Sequence, residues 1–194
     1  LEKAKKRKNV TIITDALASK ILFKNKTAVG IEYISKGKTL KVEANKEVIL
    51  SLGAFNSPQL LQLSGIGNKE ILQKYNIESV HELKGVGENL QDHINAPIMY
   101  ELNKPFTAND VFHKLHVRIG AGLNYLLNRK GLLHMGVAYS GGFFKTDQSL
   151  ETPDIQSLVL MFSSTAIGGA PHKFPGVTVV STLLRPESRG YVRI

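Results

Sequence analysis

The first fifty residues carry the hydrophobic spacing of β structure. A short β-branched run at residues 10–13 is followed by an apolar-rich segment at residues 18–23. Asn25 and Lys26 then read as a turn. Residues 28–34 alternate apolar and polar positions, as a half-buried strand does, Lys36-Gly37-Lys38 is a second turn, and residues 39–44 alternate again. The pattern predicts a small antiparallel meander. Residues 47–53 differ, because Val48, Ile49, Leu50 and Leu52 are nearly continuous. Such a run predicts a strand buried on both faces, as in a parallel sheet.

Helix punctuation follows. In residues 56–67, Ser57 is placed to N-cap, Pro58 suits the first helical position, and Gly65 suits the left-handed C-terminal position. Asn68 is placed to cap a second short helix over residues 69–75, and a glycine-rich loop occupies residues 84–93. Beyond it, residues 97–102 predict a strand. Phe112, Leu115, Ile119, Leu123 and Leu126 step by three or four, which predicts one amphipathic helix over residues 109–128 closed by Gly131. Strands are predicted at residues 137–144, 154–162, 177–184 and 191–194, with a flexible loop at residues 165–176. The expected class is α/β or α+β, in two parts: one buried strand with a meander and short helices to about residue 95, then a long helix with antiparallel strands.

Composition changes this picture little. In 194 residues, 42% are hydrophobic and 21% charged, which excludes a disordered tail. The absence of Cys excludes a disulfide scaffold, a thiolate zinc site and a Cys nucleophile. No apolar run approaches the ~18 residues of a membrane span. The net charge of +9 invites a nucleic-acid reading, but Lys3, Lys5, Lys6, Arg7 and Lys8 crowd one end and the other basic residues lie among acids. No basic helix interleaves aromatics at stacking intervals, so no nucleic-acid partner is expected, and a basic interaction module rests on net charge alone. The chain opens at Leu1 without an apolar leader and stops at Ile194 within a strand pattern, so both ends are read as cuts and the chain as an internal fragment.

Most short motifs fail. Gly65-x-Gly67, Gly85-x-Gly87 and Gly120-x-Gly122 begin a dinucleotide fingerprint and lack its third glycine. His113 and His116 share a predicted helix face without a carboxylate partner, which makes a weak metal site, and His81, His134 and His172 have no recognisable partners. Asn89, Asp92 and His93, behind two glycines, form a denser cluster that suits either ligand orientation or a capped loop. The Asn-x-Thr triplets at Asn9 and Asn25 are at chance level.

One stretch is specific. Residues 53–67, GAFNSPQLLQLSGIG, resemble the second signature of the glucose–methanol–choline (GMC) flavoprotein oxidoreductases, and residues 85–93, GVGENLQDH, follow in that family's usual order and spacing. Upstream, residues 15–23 with 28–33 resemble the family's meander; downstream, residues 141–144, 153–156 and 184–190 resemble landmarks of its substrate domain. The resemblance implies that residues 1–95 are part of an FAD-binding domain with a β-meander. Residues 96–194 would then be an incomplete substrate domain with an antiparallel sheet and helices, residues 184–194 starting the C-terminal region. It implies an FAD enzyme oxidising the CH–OH group of alcohol or sugar donors, with hydride transfer to flavin and oxygen or a quinone-like acceptor taking the electrons. By the same resemblance, Ala18 (by its backbone), Gly53, Ala54, Ser57, Asn89 and Asp92 lie at the cofactor. No residue here matches the family's diphosphate loop or its C-terminal His pair, so no catalytic residue and no metal ligand is assigned, and this stretch alone is expected to bind FAD poorly and not to turn over. The alternative within the family is a catalytically inactive flavin- or ligand-binding member.

Overall fold

A computed structural model describes residues 2–136, 138–166 and 168–194; Leu1, the predicted strand start at Val137 and position 167 of the predicted loop lie outside the described residues. The chain divides into two compact units, one of residues up to Gln91 with Ser188–Ile194, the other Asp92–Glu187.

In the first unit a short helix α1 (Glu2–Lys5) precedes an irregular stretch. The strand expected at residues 10–13 does not form: Val10, Ile12 and Ile13 are 37%, 40% and 51% exposed and no strand is beside them among the described residues. The meander forms as expected from β1 (Ala16–Lys24), β2 (Thr27–Ser35) and β3 (Lys38–Glu43), antiparallel in that order. Both hairpin turns take the primed geometry that matches strand twist, with φ of 47° and 64° at Asn25 and Lys26 and of 50° and 72° at Lys36 and Gly37.

Residues 47–52 are not a strand, and the run is not buried; Ile49 is 74% exposed. Apolar content and extended backbone do not suffice, because a strand exists only where a neighbour takes up its N–H and C=O groups, and none among the described residues does so. The following helix α2 (Gly53–Leu63) begins at Gly53 rather than after Ser57. Gly53 turns the chain with φ +82°, and the Ser57 hydroxyl accepts the Leu52 N–H at 3.1 Å from inside the helix. Pro58 therefore lies within the helix, where it has no N–H to offer the carbonyl a turn back. The predicted end holds: Gly65 has φ +87°.

Strand β4 (Ile66–Gly67) pairs in parallel with β5 (His81–Glu82), and between them Asn68 caps α3 (Lys69–Lys74) by accepting the Glu70 N–H at 2.9 Å. The helix ends at Lys74, with Tyr75 as its C-cap. Strand β6 (Glu88–Leu90) is paired from much later in the chain by Gly190–Tyr191, so only the first of the strand residues predicted at 191–194 is laddered. The core of this unit is formed by Ile21, Leu60 and Leu72.

The second unit is built on a four-stranded antiparallel sheet. Its strands are β7 (Asn95–Glu101), β8 (Ala138–Phe144), β9 (Ile155–Leu160) and β10 (Gly176–Leu183), in the order β7-β10-β9-β8; Gly190–Tyr191 in the first unit is β11. The single long helix expected here is two, α4 (Ala108–His113) and α5 (Leu115–Asn128), because Lys114 takes an extended backbone at φ −112°, ψ 107°. Tertiary bonds fix α4 separately: the His113 Nε2–H donates to the carbonyls of Pro171 and His172 at 3.2 and 2.9 Å. The Thr107 N–H and hydroxyl both bond Asp110 Oδ2, at 2.9 and 3.0 Å, at the start of α4. Helix α5 is closed by Arg129, left-handed at φ 52°, before Gly131 is reached.

Asp154, just ahead of β9, accepts hydrogen bonds from the Thr146 hydroxyl and, at 2.8 Å, from its backbone N–H. The hydroxyl bond first, then the backbone bond, hold its carboxyl below the ordinary value of 3.8. A depressed carboxylate supports the fold above its unfolded-state pKa, and that support is lost as pH falls through the folded value. A carboxyl NMR titration should place the Asp154 midpoint below 3.8, and Thr146→Val should move it back up.

Candidate functional site

The stretch that carries the expected cofactor residues is the entry to α2. Gly53 and Ala54 are exposed and Ser57 is half-buried. No side chain caps the first turn, and no acidic residue lies in it, so its leading N–H groups and the positive end of the helix dipole face outward. Among the described residues, apart from its chain neighbours and the backbone of its own helix, nothing lies within 4 Å of the place a Cβ would take on Gly53. The turn is thus open to a close approach by another group. Ser57 supports this entry by holding Leu52 at its threshold.

Two buried polar side chains fix α2 in its unit. Ser64, 1% exposed, accepts the Ile21 N–H at 2.8 Å and donates to the Leu60 carbonyl at 2.6 Å, so it satisfies an amide on the free edge of β1 while closing the helix. Gln62, 2% exposed, donates from Nε2 to the Val192 carbonyl at 3.0 Å and accepts the Ile194 N–H at 3.1 Å. Sequence reasoning missed both. The available signal was an amide set among Leu60, Leu61 and Leu63 on a short helix, a place where a polar group needs a partner.

The other expected residues are distributed. Ala18 is half-buried on β1 opposite Tyr33, beside a bulge at Ser19, whose hydroxyl bonds Glu32. A bulge re-aims the backbone at its site, which suits a main-chain contact. Asn89 is exposed on β6 with φ 60°. Asp92 belongs to the second unit, where its Oδ1 accepts the His93 N–H at 2.8 Å. The His93 Nδ1–H donates to the Leu183 carbonyl at 2.8 Å, which ties that ring to β10. Gly53, Ala54 and Ser57 are therefore brought together on one helix start, whereas Ala18 and Asn89 are carried by separate strands.

Two further histidines are used structurally. His113 binds two carbonyls, and His172 stacks on Phe174 with ring centroids 4.7 Å apart while its Nδ1 meets the Ser163 hydroxyl at 3.0 Å. Among the described residues no group of His, Asp or Glu is placed to hold a metal ion.

The second unit also contains a cleft of about 370 Å³ between α4, the short 3-10 helix Leu132–His134, the start of β8, the end of β9 and the loop after it. Its lining includes Phe112, Leu133, Met135, Tyr139, Met161 and Phe162, and no charged residue among the described residues. Beside it, Asn109, 1% exposed, donates to the Ser163 hydroxyl at 3.0 Å and the Phe174 carbonyl at 3.1 Å, and accepts the Ser163 N–H at 3.1 Å. This clasp, invisible in the sequence pattern, holds the loop that forms one wall.

A family model described as GMC oxidoreductase matches residues 1–95. Oxygen-dependent choline dehydrogenase 1 of Chromohalobacter salexigens is 38% identical over 194 residues, covering 100% of this chain and 34% of the relative. The oxygen-dependent choline dehydrogenase of Escherichia coli O127:H6 is 39% identical over 197 residues, covering 100% of this chain and 35% of the relative. The chain thus spans about a third of the length of the curated relatives it matches. Among solved structures, an Aspergillus oryzae formate oxidase superposes with a TM-score of 0.89 at 27% identity, over 98% of this chain and 38% of that one.

Proposed function

Because the chain belongs to the GMC oxidoreductase family, we propose that it is the part of an FAD-dependent oxidoreductase that helps to seat the flavin and the donor, and that the whole protein oxidises the CH–OH group of alcohol or sugar donors. Bound FAD supplies an acceptor for hydride. The donor loses a hydride from carbon and a proton from its hydroxyl, leaving a carbonyl. The base for that proton is not assigned to any residue of this chain.

The observation that carries the reading is the uncapped, acid-free start of α2 behind a left-handed Gly53 with open space around it. Backbone N–H groups at such a place suit the polar and anionic oxygens of a dinucleotide. Gly53 and Ala54 would approach the cofactor through their backbone, and Ser57 would keep the turn in shape through Leu52. Ala18 would contribute its main chain beside the Ser19 bulge. Asn89 and Asp92, both exposed, are the remaining residues that the family resemblance puts near the cofactor.

The visible spectrum of the purified full-length protein tests this. Flavin bands that bleach anaerobically on adding an alcohol are the expected result. A colourless protein that takes up no added FAD would sink the proposal, and flavin bands that no alcohol bleaches would favour a binding protein without turnover.

A further inference from the structure

We propose that the cleft of the second unit receives the organic body of the donor, and that the donor is an uncharged alcohol with an aryl or medium-length alkyl body rather than a quaternary-ammonium alcohol. The inference rests on the flavoenzyme reading above and deepens it. Three observations carry it.

The first is size. A cleft of about 370 Å³ falls at the lower end of the ~300–1,000 Å³ typical of ligand pockets. It is more than twice the ~150 Å³ that suffices for benzene in an apolar cavity. A single ring with a short tail, or an alkyl chain of similar volume, fills it.

The second is chemistry. Among the described residues the lining contains aliphatic, aromatic and thioether side chains with one hydroxyl, that of Ser164, and no Asp, Glu, Lys, Arg or His. A cation placed there gives up its hydration with no carboxylate to replace it. The rings of Phe112, Tyr139 and Phe162 could compensate only in part, because Leu132, Leu133, Met135, Met161 and Pro171 contribute surface with no attraction for charge. A neutral, largely apolar body gains from most of this lining. Phe112 and Tyr139 are 51% and 62% exposed, so apolar surface at the cleft stands ready to be covered.

The third is construction. The wall formed by Ser164, Gly169 and Pro171 is held from behind by wholly buried polar groups. Ser163 and Asn109 are 0% and 1% exposed and bond to each other, to His172 and to Phe174. Ser164 and Pro171 bridge across the loop, and His113 binds the Pro171 carbonyl. The cleft is therefore set by polar pairing that needs no ligand, as a preorganised binding surface requires.

The test uses the full-length protein, with its flavin content read from the absorption spectrum of the same sample. Steady-state oxidation of benzyl alcohol, hexan-1-ol and choline is compared. kcat/KM for benzyl alcohol or hexan-1-ol is expected to exceed that for choline by roughly 100-fold or more. Leu133→Asp places a carboxylate at the cleft on an exposed position of the 3-10 helix. It should raise KM for benzyl alcohol roughly 10-fold or more, with a smaller change in kcat and an unchanged unfolding midpoint, and Leu133→Met should restore the parent KM. A flavin-bearing protein that prefers choline, or one whose KM for benzyl alcohol ignores Leu133→Asp, overturns this inference and leaves the flavoenzyme reading standing. A protein without flavin and without turnover overturns both.

Discussion

Gly87→Ala should destabilise the first unit by about 3–5 kcal/mol, whereas Gly85→Ala, in the same loop, should change stability by no more than about 0.5 kcal/mol. Gly87 has φ +81°, and a Cβ there would overlap the Val192 carbonyl oxygen and lie 2.7 Å from Gln62 Nε2. Both obstacles are rigid. Val192 is held to this turn by its own N–H, which donates to the Gly87 carbonyl at 2.7 Å, and Gln62 is buried and bonded on both sides. Relief therefore means parting β6 from β11 and releasing the side chain that ties α2 to that pair. A Cβ on Gly85 would meet nothing within 4 Å, and its backbone is not left-handed. Urea unfolding of the full-length protein, with hydrogen exchange at the Val192 and Ile194 amides, checks the pair. Equal effects from the two substitutions would show that the β6–β11 closure is not what the glycine protects.

Asn109→Ala should cost the second unit about 2–4 kcal/mol, because it deprives several buried groups of partners at once. The Ser163 N–H loses its acceptor, and the Phe174 carbonyl loses a donor. The Ser163 hydroxyl keeps only His172. The surrounding surface is too well covered for water to replace the amide cheaply, since Ser163 and Thr107 are 0% and 2% exposed. Loss of the clasp should also free the loop over residues 163–176, seen as faster exchange at the His172 amide, which donates to the Ser163 carbonyl at 3.1 Å. The Ile21 amide, bonded to Ser64 in the other unit, should exchange at the parent rate. If both amides accelerate together, Asn109 supports more than its own unit and the local account fails.

Most of the segmental fold was legible in the residues. The meander, the capped α3, the left-handed Gly65 and the four later strands all followed from alternation, turn chemistry and capping. The candidate site was legible only through the long signature around Gly53–Leu63. The individual residues there are small and exposed, and nothing in their spacing announces chemistry. The buried Gln62, Ser64, Asn109 and Ser163 were not found, because a polar residue in an apolar stretch shows that a partner is needed without showing which one.

The failures share a cause. Two-residue turns, helix caps and periodicity act over a few neighbouring positions, so the chain specified Asn25-Lys26, Asn68 and the strand segments locally. Whether residues 47–52 become a strand depends on a second backbone to pair with, which no local pattern supplies. The break at Lys114 arises where His113 and Asn109 bind the loop after β9, although the apolar spacing runs on without interruption. The helix entry at Gly53 and the order β7-β10-β9-β8 belong to the same class. Bonds that join residues 130 and 54 positions apart, Gln62 to Val192 and Asn109 to Ser163, acquire their energy only after the chain has closed around them.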